Sequence, residues 1–255
     1  MTGSKTIAIM QPTYLPWAGY LDMIDQCDVF VLYDCVQFDK RSWQQRNRVK
    51  TAAGETWLTV PVLSKGKRDQ TIQEVEIDPD GDFRDKHTRT LQHAYGRAAS
   101  YVPYAEQFGA VLAARQDRLA VLNADVITWM CATLGITTRL VRSSTLAAEG
   151  HRVDRLLSVC KALGATRYLS PLGSHVYIDQ DNRFADHGID LTYHRYEHPV
   201  YAQPHGAFVS HMSAIDLILN TGAASGDVLR SGRRPTLDHA AASAHLAAAH
   251  SEPAE

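Results

Sequence analysis

The chain has no run of about 18 apolar residues, no basic-then-apolar leader and no internal repeat. These absences argue against a membrane-spanning helix, a secretory signal and a solenoid. Cysteine is scarce: Cys27, Cys35, Cys131 and Cys160 are the four thiols in 255 residues, far apart and without a CxxC pair. That spacing excludes a disulfide framework and a structural zinc site, and points to a reducing, cytoplasmic setting. A formal net charge of −2 argues against a general nucleic-acid binder, though it leaves room for a local basic patch. No HExxH, Walker A, GxGxxG or GxSxG motif occurs, so no catalytic metal is expected and the standard phosphate and hydrolase signatures are missing.

What is present is a globular composition, 45% apolar and 21% charged, and one information-rich stretch from Ile7 to Lys50. An apolar run, Ile7 to Met10, stops at Gln11-Pro12 and enters a loop with Thr13, Tyr14, Pro16, Trp17 and Gly19. A second apolar run, Val29 to Tyr33, ends at Asp34-Cys35 and leads into Gln37, Lys40, Arg41, Trp43, Arg46, Asn47 and Arg48. Two buried strands that both spill into polar, aromatic loops describe the rim of an α/β site.

Further along, Thr56 to Val62 and Ile72 to Ile77 read as strands of a small antiparallel flap over residues 55–80. Residues 86–95 and 104–134 have helical spacing, the longer stretch with a break near Asn123 and a C-cap at Gly135. From there to Tyr196 strand and helix patterns alternate: strands at Ile136 to Ser144, Arg167 to Ser170 and Ile189 to Tyr196, helices at Val153 to Leu163 and around Asn182 to Asp186. Ser213 to Leu219 is a last helix. This rhythm predicts one α/β domain over residues 1–222, a mainly parallel, Rossmann-like sheet flanked by helices. Residues 223–255, rich in Ala, Ser, Gly and His, are expected to be disordered or loosely packed.

Several residues could carry chemistry, each beside a blander role. Lys40 to Lys50 holds five basic residues and no acid. Arg41, Arg46 and Arg48 offer forks for phosphate or carboxylate, and Trp43 a surface for stacking, but the run could equally be a solvated strand face. Asp34 closes a buried strand, where carboxylates often orient ligands, or it caps a loop. Cys35 is a nucleophile only if a nearby cation lowers its pKa. His87, beside Lys86, and His198, past the last strand and followed by Tyr201 and Gln203, are the general-base candidates. Ser170 opens a small-residue turn suited to a phosphate.

These stretches resemble the WbqC family, found in glycoconjugate and some natural-product gene clusters. The resemblance rests on Ile9 to Tyr20, Val36-Gln37-Phe38, Lys40 to Trp43, Arg46-Asn47-Arg48, Trp57 to Pro61, Lys86-His87, Val141 to Ser144, Cys160 to Ala165, His198 to Gln203 and Ile215-Asp216. It departs from the family pattern at Cys35, where a second Asp is usual, and at Ser170 to Gly173, where a Ser-Gly-Pro-Gly turn is usual. A weaker, fold-level similarity links the opening unit to pantothenate synthetase and nucleotidylyltransferase-type folds, without their HxGH histidines.

The family resemblance implies an acyl- or aminoacyltransferase forming an amide on the amino group of a sugar or natural-product intermediate. The donor would be a carrier-protein thioester, CoA or aminoacyl-tRNA, with a carrier protein or tRNA as partner. In that scheme Arg41, Arg46 and Arg48 hold the anionic part, His87 or His198 takes the amine proton, and Asp34 orients it. Gln11, Pro12, Tyr14 and Trp17 wall the pocket. An ATP-dependent ligase or nucleotidylyltransferase, and a non-enzymatic carrier-protein-binding module, are the alternatives.

Overall fold

The computed structural model describes residues 3–178 and 183–251. Its centre is a five-stranded, wholly parallel sheet of β1 (Thr6–Met10), β2 (Val29–Leu32), β5 (Arg139–Arg142), β6 (Arg167–Pro171) and β7 (Asp190–His194), in the order β5-β2-β1-β6-β7. Numbered along the sheet alone, that is the doubly wound order 3-2-1-4-5. Successive side chains of the central strands go to opposite faces. Ala8, Phe30, Leu32 and Leu169 join one core cluster, while Ile7, Ile9, Val29, Val31 and Tyr168 join the other.

The first face is covered by α1 (Ala18–Asp25), α2 (Phe83–Tyr95), α3 (Tyr101–Ala113), α4 (Leu119–Thr133), α7 (Ala214–Thr221) and α8 (Ser225–Ser231). The second is covered by α5 (Val153–Ala162) and the short α6 (His175–Ile178), with α9 (His239–Ser251) beside α6 and β7. Helices α4 and α5 stop in the same way. Gly135 and Gly164 take left-handed φ values of 68° and 66°, and the next amide reaches back to Cys131 and Cys160 respectively. Glycine is used there because a Cβ disfavours that backbone conformation.

Four local expectations are corrected. The antiparallel pair is β3 (Arg46–Thr51) with β4 (Gly54–Thr59), so the basic run is itself a strand. Residues 72–74 form a 3₁₀ turn closed by a Thr71–Glu74 capping box, and only a Val62–Ile77 bridge remains of the expected second pairing. The helix break lies between Ala113 and Leu119; Asn123 sits inside α4, where its buried amide donates to Pro12 and Gln44 carbonyls. Residues 183–187 form a turn and a 3₁₀ segment, and the rest of the helix expected around Asn182 lies outside the described residues.

Residues 225–237 are also not a loose tail. Leu229 is buried, Arg230 pairs with Asp25 at 2.9 Å, Arg233 reaches Asp22 at 2.9 Å, and Leu237 bridges to Tyr193. Average composition missed this because a few arginines, each facing a carboxylate of α1, hold the segment down.

Candidate functional site at the switch point

In a doubly wound sheet the chain leaves β1 to one side and β6 to the other, opening a crevice beyond their carboxyl ends. Here that crevice is a cavity of about 820 Å³ walled by Met10 and Gln11 after β1, Tyr33 after β2, Pro171 at the end of β6, and Trp43 with Gln44 before β3. Arg152, just before α5, and Leu156 on α5 close one side, and Tyr177 of α6 another. A second cavity of about 370 Å³ shares Met10, Thr13 and Trp43 with the first and adds Trp17, Asn47, Arg48 and His211. Among the described residues, neither wall contains a carboxylate.

The loop between β1 and α1 is held in place by buried amides. Asn47 donates to the Leu15 carbonyl at 2.7 Å, Gln44 to the Gln11 side chain at 2.8 Å, and the Tyr14 amide to the Trp43 carbonyl. Buried polar groups that are paired in this way fix a loop rigidly. Pro12 is buried beneath this loop, so it shapes the rim instead of lining it.

Several candidates face inward. Asp34 is fully buried and accepts from Arg142 Nε at 2.6 Å, Ser143 Oγ at 3.0 Å, and the amide and hydroxyl of Ser144, each at 2.9 Å. It ties the ends of β2 and β5 together. Tyr201 and Gln203 both donate to buried Asp216, at 2.8 and 2.9 Å. Ser170 is buried against Ser174. Gln37, Lys40, Arg41 and Lys86 are exposed and line neither cavity.

His87 is buried behind the site, with Nδ1 2.9 Å from the Tyr14 hydroxyl and a second bond to the Thr59 backbone. Burial lowers its pKa from 6.5 to about 4 and pushes the Tyr14 phenol well above its ordinary value. The neutral imidazole therefore belongs to the fold. Because the unfolded chain binds this proton near pH 6.5 and the folded one only near 4, stability should be full above 6.5 and fall as pH drops through that window. The loss attributable to His87 is about 3 kcal/mol. Denaturant unfolding between pH 7 and 4, with His87→Gln for comparison, checks this; equal pH slopes in the two proteins would refute it.

His198 is different. It is half-buried among aromatic rings, 6.4 Å from Trp17 and nearly parallel to it, and 5.2 Å from His211. Burial, with the Pro199 carbonyl opposing it, lowers its pKa, so it is neutral at pH 7. His194, four residues earlier, turns instead to buried Asp22 at 2.8 Å.

Cys35 is partly exposed, 3.1 Å from Ser143 Oγ and 3.7 Å from an Arg155 nitrogen. Its neighbour Tyr33 has a phenol pushed up to about 12, first by burial. Arg46 and Arg48 project from the outer face of β3 onto Trp57 and Trp43.

Sequence reading missed Thr13, Tyr33, Arg152, Arg155, Tyr177 and His211. Arg152 and Arg155 flank the start of α5, a position the helix pattern does reveal. His211 has no local signal except that it and His205 hold left-handed backbones, φ 59° and 64°, which only the fold displays.

Fold and site together define a Rossmann-like α/β protein with a cleft at the topological switch point, lined by arginine and aromatic side chains. The chain belongs to the WbqC-like protein family, which matches residues 11–228. It is 36% identical over 228 residues to Rv1507c of Mycobacterium tuberculosis H37Rv, described as an uncharacterized protein, covering 89% of this chain and 98% of that one. No solved structure matches the chain. Among the described residues, no helix is long and apolar enough to cross a membrane.

Proposed function

We propose that the protein is a biosynthetic acyl- or aminoacyltransferase that forms an amide on an amino group of a sugar or natural-product intermediate. The observation that carries this reading is the pair of adjoining cavities. The larger has Arg152 for an anionic donor, and the smaller places His211 beside Trp17 for an amine. Met10, Thr13 and Trp43 form the shared wall where the reacting groups would meet.

In this scheme the amine nitrogen attacks the donor's acyl carbon and His211 accepts the proton shed by nitrogen. As the carbon–sulfur or carbon–oxygen bond to the donor breaks, His211 passes that same proton to the departing thiol or ribose hydroxyl. His198, whose pKa burial lowers, stands 5.2 Å from His211 as a neutral ring. Asp34 acts at a distance, by fixing the β2–β5 edge of the cleft.

Full-length protein incubated with an amine and, in separate arms, a CoA thioester, a carrier-protein thioester or an aminoacyl-tRNA should yield an amide by mass spectrometry. His211→Ala should then lower kcat by about 100-fold, the scale of a lost general base, with a smaller effect on KM. Pyrophosphate release with ATP and a free acid would favour the ligase reading instead. Absence of amide in every donor arm would overturn the transferase reading.

A further inference from the structure

Two tryptophans stand exposed beside the cleft, Trp57 on β4 and Trp43 just before β3. Trp43 is 47% and Trp57 41% exposed, with ring centroids 5.3 Å apart. Strand pairing explains their company: Arg48 lies opposite Trp57, and Arg46 opposite Thr59, so both arginines share a face with Trp57. The Arg46 guanidinium sits 4.1 Å from the Trp57 centroid, and Arg48 is 5.5 Å from Trp43 and 5.7 Å from Trp57.

This side of the hairpin is costly to leave in water. Large exposed aromatics gathered in one place mark contact surfaces. Glu55 satisfies one end of Arg48 at 2.5 Å. Nε of Arg46 and of Arg48 are both buried without a hydrogen-bond partner, as is Thr13 Oγ1 between the two cavities. The Arg46 guanidinium has no acidic partner among the described residues.

We infer that Trp43, Trp57, Arg46 and Arg48 form a stacking platform for the base and phosphate of a nucleotide, whether a free one or the unpaired end of an RNA. Indole faces accept any base, and guanidinium groups supply the phosphate contacts. Trp43 belongs to both the platform and the shared cavity wall, so a nucleotide held there would extend its reactive end into the cleft. The inference rests on the transferase reading only in making that nucleotide the handle of the donor.

The test is calorimetric titration of the full chain with AMP, CoA and a short single-stranded RNA ending in CCA. Ribose 5-phosphate and pantetheine serve as base-free controls. AMP and CoA, or the RNA, should bind at least about five-fold more tightly than the base-free controls, and Trp57→Ala should remove that advantage. Trp57→Phe should restore part of it, and Arg46→Ala should weaken binding while flattening its salt dependence. RNA binding ten-fold tighter than AMP would assign the platform to an RNA end; equal affinity would assign it to a free nucleotide. Base-free controls binding as well as the nucleotides, or unchanged affinity in Trp57→Ala with intact circular dichroism, would overturn the inference. Amide formation is read separately, so nucleotide binding without amide would count against the transferase alone.

Discussion

Asp216→Ala is expected to lower the unfolding free energy by about 3–5 kcal/mol, among the largest effects of any single substitution in this chain. The carboxylate is fully buried in the first turn of α7. It accepts from the Tyr95 hydroxyl at 2.6 Å, the Tyr201 hydroxyl at 2.8 Å, Gln203 Nε2 at 2.9 Å and Asn220 Nδ2 at 3.3 Å. Burial pushes both phenols well above their ordinary pKa, so they remain donors. Alanine would strand all of these donors away from water, and an orphaned buried donor costs more than the lost bond itself.

The consequence extends beyond stability. Tyr95 also accepts the Lys50 amide of β3 at 3.0 Å, and Gln203 clasps both ends of Val209. The segment 198–211, which carries His198 and His211, is thereby anchored to β3 and α7 through Asp216. Tyr201→Phe removes one donor cleanly and should cost only about 1 kcal/mol. Denaturant unfolding of the two variants measures both; a loss under 1 kcal/mol for Asp216→Ala would refute this account.

The second large effect belongs to Asp34. Asp34→Ala should destabilise the protein by about 3–4 kcal/mol, because Arg142 loses its buried counter-charge and Ser143 and Ser144 lose their acceptor. A proton-transfer role would predict the reverse pattern: full loss of turnover at unchanged stability. Every hydrogen bond that the Asp34 carboxylate accepts among the described residues comes from the β5 end, so the measured melting temperature should fall together with activity in both Asp34→Ala and Asp34→Asn. Asn keeps the shape, but its amide nitrogen cannot accept from Arg142 or Ser144. An Asp34→Asn protein with unchanged melting temperature and no turnover would show that the carboxylate acts on substrate.

Strands β1 and β2 were legible as short apolar runs ended by Gln11-Pro12 and Asp34-Cys35, and β5, β6 and β7 by their alternation with helical stretches. Gly135 and Gly164 marked helix ends for the same local reason. The stretch Ile7 to Lys50 supplies one side of the cleft, and the family resemblance read from Ile9 onward overlaps the family match from residue 11. Periodicity alone could not assign the strand partner of Trp57, since residues 72–77 alternate apolar and polar side chains while residues 46–51 are polar at every position but Val49. The Thr71–Glu74 capping box and the short turn after Thr51 decided between them.

What stayed hidden were relations between distant residues. Asp34 ends an apolar run, but whether it faces substrate depends on Ser143 and Arg142, more than a hundred positions away. His87 looks like a base until burial behind Tyr14 lowers its pKa to about 4, against the opposing bond to the Thr59 backbone. Strand identity follows from side-chain period and end chemistry, which are local and written in order along the chain. The strand order that puts Met10 beside Pro171 and His211 beside Trp17 follows from burying both sheet faces at once, a condition met only by the folded whole.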